Sequence, residues 1–234
     1  NYAVAVNQPG FINDATLNHQ IDVSAYTNKS MYGASWFTYE GEKELTLSGR
    51  MIKVKPGENT LLEAVGKAND GDVIQLEEAG EYWNDAILPV DKYLKIQAAE
   101  GLSGRPVLRY KGTRRGAMIT IMSGGNLEIA GLAFDGEEQA GKALPTAGVS
   151  TAAEVITPYV LNVNNCEFYN FNESGMAAIG GLKSTFSPSV TIRNSYFHDM
   201  SGEGINYASE KDDKGIYSVE RLVVENCRFY RLLN

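Results

Sequence analysis

The chain lacks a basic excess. Its 234 residues carry 21 Lys and Arg against 29 Asp and Glu, a formal net charge of −8. A nucleic-acid partner wants a basic face, so that class is excluded. A polyanionic ligand also sits awkwardly with this balance unless positive charge is gathered locally. No apolar run approaches the ~18 residues of a membrane-crossing helix, so no membrane partner is expected. No positively charged start with an apolar stretch opens the sequence, and Asn1 is not expected to begin a precursor. Cysteine is scarce, at 2 residues. The core must therefore come from apolar packing, for which a chain of this length is ample.

What the chain does have is a repeat. The segments ending at Phe134, Phe168, Phe197 and Phe229 share one pattern when aligned on that Phe. Seven, five and two places before it stand Leu127, Ile129 and Leu132; Leu161, Val163 and Cys166; Val190, Ile192 and the one polar member, Ser195; and Leu222, Val224 and Cys227. The Phe-to-Phe spacings are 34, 29 and 32. A drifting period near thirty with strand-like alternation inside each unit is the mark of coiled parallel strands. Cys166 and Cys227 share the inward register two turns apart, roughly 9–10 Å, which is too far for a disulfide. They read as core residues.

The alternation breaks at one place in each unit. Three residues before the Phe stand Gly131, Asn165, Asn194 and Asn226. A tight bend between two strands needs a residue that tolerates positive φ, and Gly and Asn do so at least cost. Stacked at the roughly 4.8 Å strand spacing, the Asn amides are placed to hydrogen-bond along the stack. Two strands joined by an Asn bend every thirty or so residues predict an all-β fold, a right-handed parallel β-helix. A β-sandwich would instead show hairpin turns every 8–12 residues.

Further short apolar segments fit the coil: Asp72–Leu76, Leu94–Gln97, Pro106–Tyr110, Ala117–Ile121, Met176–Ile179 and Gly204–Ala208. Residues 59–68 form the best helix candidate, with Leu61, Leu62 and Val65 on one face and Asn59 or Thr60 able to cap its start. A solenoid needs an atypical unit over its apolar end, and this helix is expected to be that N-terminal cap. The β-helix is expected over 59–234. Residues 1–58 are expected to be the tail of a preceding domain plus a linker, with a possible strand from Arg50 to Val54. The chain is expected to be truncated at its C-terminal end, where a coil wants another turn or a cap.

The helix, Asn69–Leu76, Tyr93–Ala98 and Gly104–Leu108, followed in order by the four Phe units, resemble polysaccharide lyase family six, the chondroitinase B and alginate lyase family. The resemblance covers about residues 59–234. It implies a secreted or periplasmic bacterial protein acting on an acidic uronate polysaccharide by β-elimination. That chemistry neutralises the uronate, removes its C5 proton with a base and protonates the leaving oxygen. In the family, calcium held by an Asn and a Glu-x-Glu pair does the first task, and a later Lys and Arg do the others. Here Glu42-Lys-Glu44 lies in the linker with no suitable Lys and Arg after it, so no catalytic residue carries over and no metal is assigned to this segment. Two explanations stay open. The site lies beyond the fourth unit, or residues 59–234 begin a second, non-catalytic β-helix behind a catalytic one. The segment Tyr32–Phe37, similar to the closing stretch of a first domain, favours the second. The alternative function is a non-enzymatic carbohydrate-binding or adhesin-type β-helix.

Candidate substrate contacts follow from chemistry. Lys183 and Arg193 sit on or beside successive coils, and Lys211 lies in the charged loop Glu210–Lys214; each is a cation able to meet a uronate. Tyr207 and Tyr217 lie outside the Phe ladder and are candidate sugar platforms. Asp135-Gly-Glu-Glu138 reads as a solvated turn, and His198 beside Asp199 as a hydrogen-bonded histidine at a strand end.

Overall fold

The computed structural model describes residues 45–153, 157–172, 176–182, 185–207 and 218–233. They build a parallel β-solenoid of three sheets. The first sheet contains β1 (Met51–Val54), β3 (Asp72–Leu76), β6 (Tyr93–Ala98), β9 (Asn126–Ala130), β12 (Val160–Asn164), β15 (Ser189–Arg193) and β18 (Leu222–Glu225). The second contains β2 (Gly57–Glu58), β4 (Glu81–Asn84), β7 (Val107–Tyr110), β10 (Ala133–Asp135), β13 (Glu167–Tyr169), β16 (Tyr196–Met200) and β19 (Arg228–Leu232). The third contains β5 (Leu88–Val90), β8 (Ala117–Ile121), β11 (Ala147–Thr151), β14 (Ala177–Gly180) and β17 (Glu203–Asn206). Among the described strands every pairing is parallel, and each strand meets its counterpart one turn away.

The repeat is the core. Leu94, Leu127, Leu161, Val190 and Leu222 stack in register, as do Ile96, Ile129, Val163, Ile192 and Val224. Phe134, Phe168, Phe197 and Phe229 form a third column with ring centroids 4.6, 5.0 and 4.9 Å apart and planes within 8°. Rings this close bury large apolar area and add stacking energy. Across the interior the third sheet makes room for two of these rings with glycine: a Cβ on Gly148 would fall 2.9 Å from the Phe168 ring, and one on Gly204 would fall 3.0 Å from that of Phe229. Ser195 is tolerated inside because its hydroxyl donates to Arg193 O at 2.7 Å and accepts from Cys166 N at 3.1 Å. Both cysteines are free, and burial pushes the Cys166 thiol up to about 11.

The bend behaves as the sequence predicts. Gly131, Asn165, Asn194 and Asn226 have φ of 76°, 53°, 53° and 53°. Asn226 donates to Asn194 at 2.6 Å. Lower down the amide stack steps aside, since Asn194 donates to Asn164 at 2.7 Å while Asn165 Oδ1 accepts from Arg105 at 2.8 Å. The unit beneath offers Gly131, which has no amide, and the guanidinium takes that place.

Two expectations at the entrance need correction. The stack begins at Met51 rather than residue 59, because β1 pairs with β3 and sets Ile52 against Ile74 and Val54 against Leu76. The helix α1 (Thr60–Lys67) forms and buries Leu61, Ala64 and Val65, and Asn59 stands at its N-cap position, but no side chain there makes a capping hydrogen bond. Asn59 is left-handed at φ 57°, and its side chain accepts from the Asp85 amide at 3.0 Å; the Thr60 hydroxyl donates to Lys55 O. In chain order α1 stands where a third-sheet strand of the first turn would be, and it touches β1, β4 and β5. Residues 1–44, with the Tyr32–Phe37 stretch and Glu42-Lys-Glu44, lie outside the described residues.

Asp72 ties the entrance together. It opens β3 and is 1% exposed. Its carboxylate accepts from Ser48 Oγ at 2.7 Å and Asn69 N at 2.7 Å, with Arg50 Nε at 3.1 Å. Burial works to raise its pKa, but these donors outweigh it and hold the carboxyl below its usual value.

Candidate binding face on the second sheet

The Phe column fixes what lies outside it. In a strand, the residues before and after an inward Phe point outward. On the second sheet this makes two outer files, in register along the stack. One runs Glu81, Val107, Ala133, Glu167, Tyr196, Arg228; the other runs Trp83, Arg109, Asp135, Tyr169, His198, Tyr230. Arg105 and Arg231 flank them, so four arginines and a histidine gather on one side of an acidic chain.

Toward the first turns this face is closed by its own ion pairs. Arg109 lies over the Trp83 ring at 5.3 Å and within 2.6, 3.1 and 3.3 Å of Asp135, Glu81 and Glu137. Asp135, 2% exposed, also accepts from Asn170 Nδ2 at 2.8 Å and Glu137 N at 3.0 Å. Beside it, burial and then the Asp135 charge push the Tyr169 phenol up to about 12.

The middle is built on His198. Its Nε2 meets Glu167 at 2.9 Å and its Nδ1 meets Asp199 at 2.8 Å, while its ring stacks on Tyr196 and Tyr169 at 4.1 and 5.3 Å. Asp199 sits at φ 51° and pairs with Arg231. The His198 hydrogen bond first, then the Arg231 charge, hold its carboxyl below the usual range despite some desolvation. Arg105 Nε approaches Glu167 at 3.7 Å.

The Arg228 guanidinium lies 5.2 Å over Tyr196 and 5.7 Å from Tyr230, and Arg231 lies 5.2 Å from Tyr230. Among the described residues no group of His, Cys, Asp and Glu is placed to hold a metal ion. The most buried carboxylate of this face, Asp135, is engaged by Arg109, Asn170 and the Glu137 amide.

Of the residues picked from sequence, Arg193 and Tyr207 are described. Arg193 is exposed on the first sheet and pairs with Glu225 at 2.7 Å. Tyr207 follows the third sheet, half-buried against the core. Its hydroxyl is buried, and burial with the neighbouring Tyr159 raises it well above its ordinary value. Lys183, Lys211 and Tyr217 lie outside the described residues. Arg105, Arg109, Arg228, Arg231, Tyr196 and Tyr230 were missed. The signal for the last two and Arg228 was present, since the positions one before and one after each Phe are the outer files.

No protein-family model matches the chain, and no curated protein does. Solved structures do. The PL6 family alginate lyase AlyGC superposes with a TM-score of 0.69 and 33% sequence identity, over 86% of this chain and 27% of that one. The chain is similar to part of a family-six alginate lyase. A mutant of the same enzyme gives 0.67 and 33% over the same shares. The chain thus spans about a quarter of the length of the lyase structures it resembles, and the likeness extends to sequence as well as fold.

Proposed function

We propose that the chain is a β-helical part of a polysaccharide lyase degrading alginate or a related uronate polymer by β-elimination, and that this segment is accessory to the chemistry. The observation that carries the lyase reading is the 33% identity to an alginate lyase over 86% of the chain. The accessory part rests on sequence: Glu42-Lys-Glu44 stands ahead of the whole solenoid, and no matching Lys and Arg follow it in the family's order. In this reading a catalytic β-helix precedes the segment, calcium belongs to that domain, and the protein works outside the cytoplasm on an acidic polysaccharide. The arginine-rich second sheet also favours a carbohydrate-binding role without chemistry, which is compatible with the first reading.

The test incubates the purified chain, and the longer protein that carries it, with alginate and with dermatan sulfate, with and without calcium. Ultraviolet absorbance reports the unsaturated product. The expected result is silence from the chain and product from the longer protein. Product from the chain alone overturns the accessory role; silence from both overturns the lyase reading.

A further inference from the structure

The corner between the first and second sheets is drawn out where it follows β6. It runs there from residue 99 to residue 106, whereas after β9 it holds only Gly131 and Leu132. The surplus chain stands off the stack. A cavity of about 690 Å³ lies between residues 97–105 and the next two turns at Ala130, Gly131, Asn164 and Asn165.

Both roots of this segment are fixed. The Ala99 amide donates to Leu76 O and the Val107 amide to Gly80 O, each at 2.8 Å, and Pro106 O accepts from Ala133 N at 2.9 Å. Between the roots the chain is untied: among the described residues, none forms a hydrogen bond or ion pair with residues 100–104. Glu100, Gly101, Ser103 and Gly104 are exposed, and Gly101 sits at φ 76° with open space around it.

One side chain spans the gap. Arg105 reaches past Gly131 and donates through Nη2 to Asn165 Oδ1 at 2.8 Å and through Nη1 to Asn165 O. Its Nε stands 3.7 Å from Glu167, a looser contact. The guanidinium fork thus closes on two acceptors of a single residue, and hydrogen bonds with a charged donor are the stronger kind. A segment with fixed ends, no bonds of its own and one charged clasp opens at far less cost than the sheets it joins.

We propose that residues 99–106 form a strap latched by Arg105 on Asn165, and that release of the latch swings the strap out and widens the corner cavity while the solenoid stays folded. Ala99 and Pro106 are the hinges, and Gly101 and Gly104 supply the backbone freedom the swing needs. The device rests on the geometry of this corner and is independent of any part the chain plays in lyase chemistry.

Native-state proteolysis of the full chain tests it, because a protease cuts a folded protein only where the chain opens locally. A Glu-specific protease reports Glu100, thermolysin reports Leu102, and mass spectrometry assigns each cut. Arg105→Ala should speed both cuts at least about tenfold. Cutting after Glu138, in an exposed loop of the next turn, should not change. Arg105→Lys, which keeps the charge without the fork, should recover part of the loss. Asn165→Gly, which keeps the left-handed bend and removes the amide acceptor, should speed the strap cuts as well. Hydrogen exchange at Ala99, Val107 and Ala133 should match the wild type, since the hinges hold. Ala130→Cys places a thiol in the cavity wall, and a polymer-bearing maleimide should label it about tenfold faster when Arg105→Ala is added. Wild-type cutting of the strap in Arg105→Ala overturns the latch. Faster cutting at Glu138, or faster exchange at the hinges, also overturns it, because the whole turn would then be unfolding. Equal labelling of Ala130→Cys with and without Arg105 overturns the gating of the cavity.

Discussion

At the scale of single residues, the bend asparagines show how a backbone requirement becomes visible in sequence. Positive φ excludes most side chains, so Asn recurs at 165, 194 and 226, and the alignment on Phe exposes it. Asn194→Ala removes amide bonds to Asn164 and Asn226 and leaves a β-carbon in left-handed geometry. Unfolding in urea should show a loss of about 1–2 kcal/mol. Asn194→Gly should regain the backbone share but not the amides. If Ala is as stable as the wild type, the bend does not depend on this residue. Other single-residue details were not legible. The substitution of Arg105 for a missing amide depends on a contact 60 residues away, and Asn59 adopts a left-handed conformation that any helix-start rule reads as a cap.

At the scale of elements, the columns of the first and second sheets could be read because each inward file repeats one residue class. The outer files mix Ala, Asp, Glu, Tyr, His and Arg, and only their register with the Phe column makes them a face. Three strands of the third sheet were legible, but Leu88–Val90 and Ala147–Thr151 were not, and the room it leaves for Phe168 and Phe229 depends on Gly148 and Gly204. The strand-to-strand junction at Asp72 offers a test. Its folded pKa is depressed, so its contribution is fully present above the ordinary carboxylate value of about 3.9 and is lost as pH falls through the lower folded value. Asp72→Asn should cost about 1–3 kcal/mol at neutral pH, because Ser48, Asn69 and Arg50 lose an anionic acceptor. The gap between wild type and variant should then close in strong acid. A gap that stays constant down the acid limb would show that Asp72 is not the group responsible.

At the scale of the whole molecule, contacts run from one turn to the next, so stability is a local sum along the axis. Phe134, Phe168 and Phe197 are fully buried, whereas Phe229 is 45% exposed in the last described turn. Hydrogen exchange read by mass spectrometry should find amides of β12 and β13 slowest and those of β18 and β19 faster by orders of magnitude. Equal protection across these strands would mean that the solenoid opens as one unit. The same turn-by-turn construction locates the drift in the repeat. Ala130 to Ala133, Asn164 to Glu167, Arg193 to Tyr196 and Glu225 to Arg228 all span the same short step, so the corner between the first two sheets keeps one length in the four Phe units, whereas before them it runs from Leu76 to Glu81 and from Ala98 to Val107. Among those four units the changes in period arise at the other two corners, as in the residues between Asp135 and Ala147. Over these turns one corner acts as a clock, and the other two are margins in which new sequence can be written without disturbing the count.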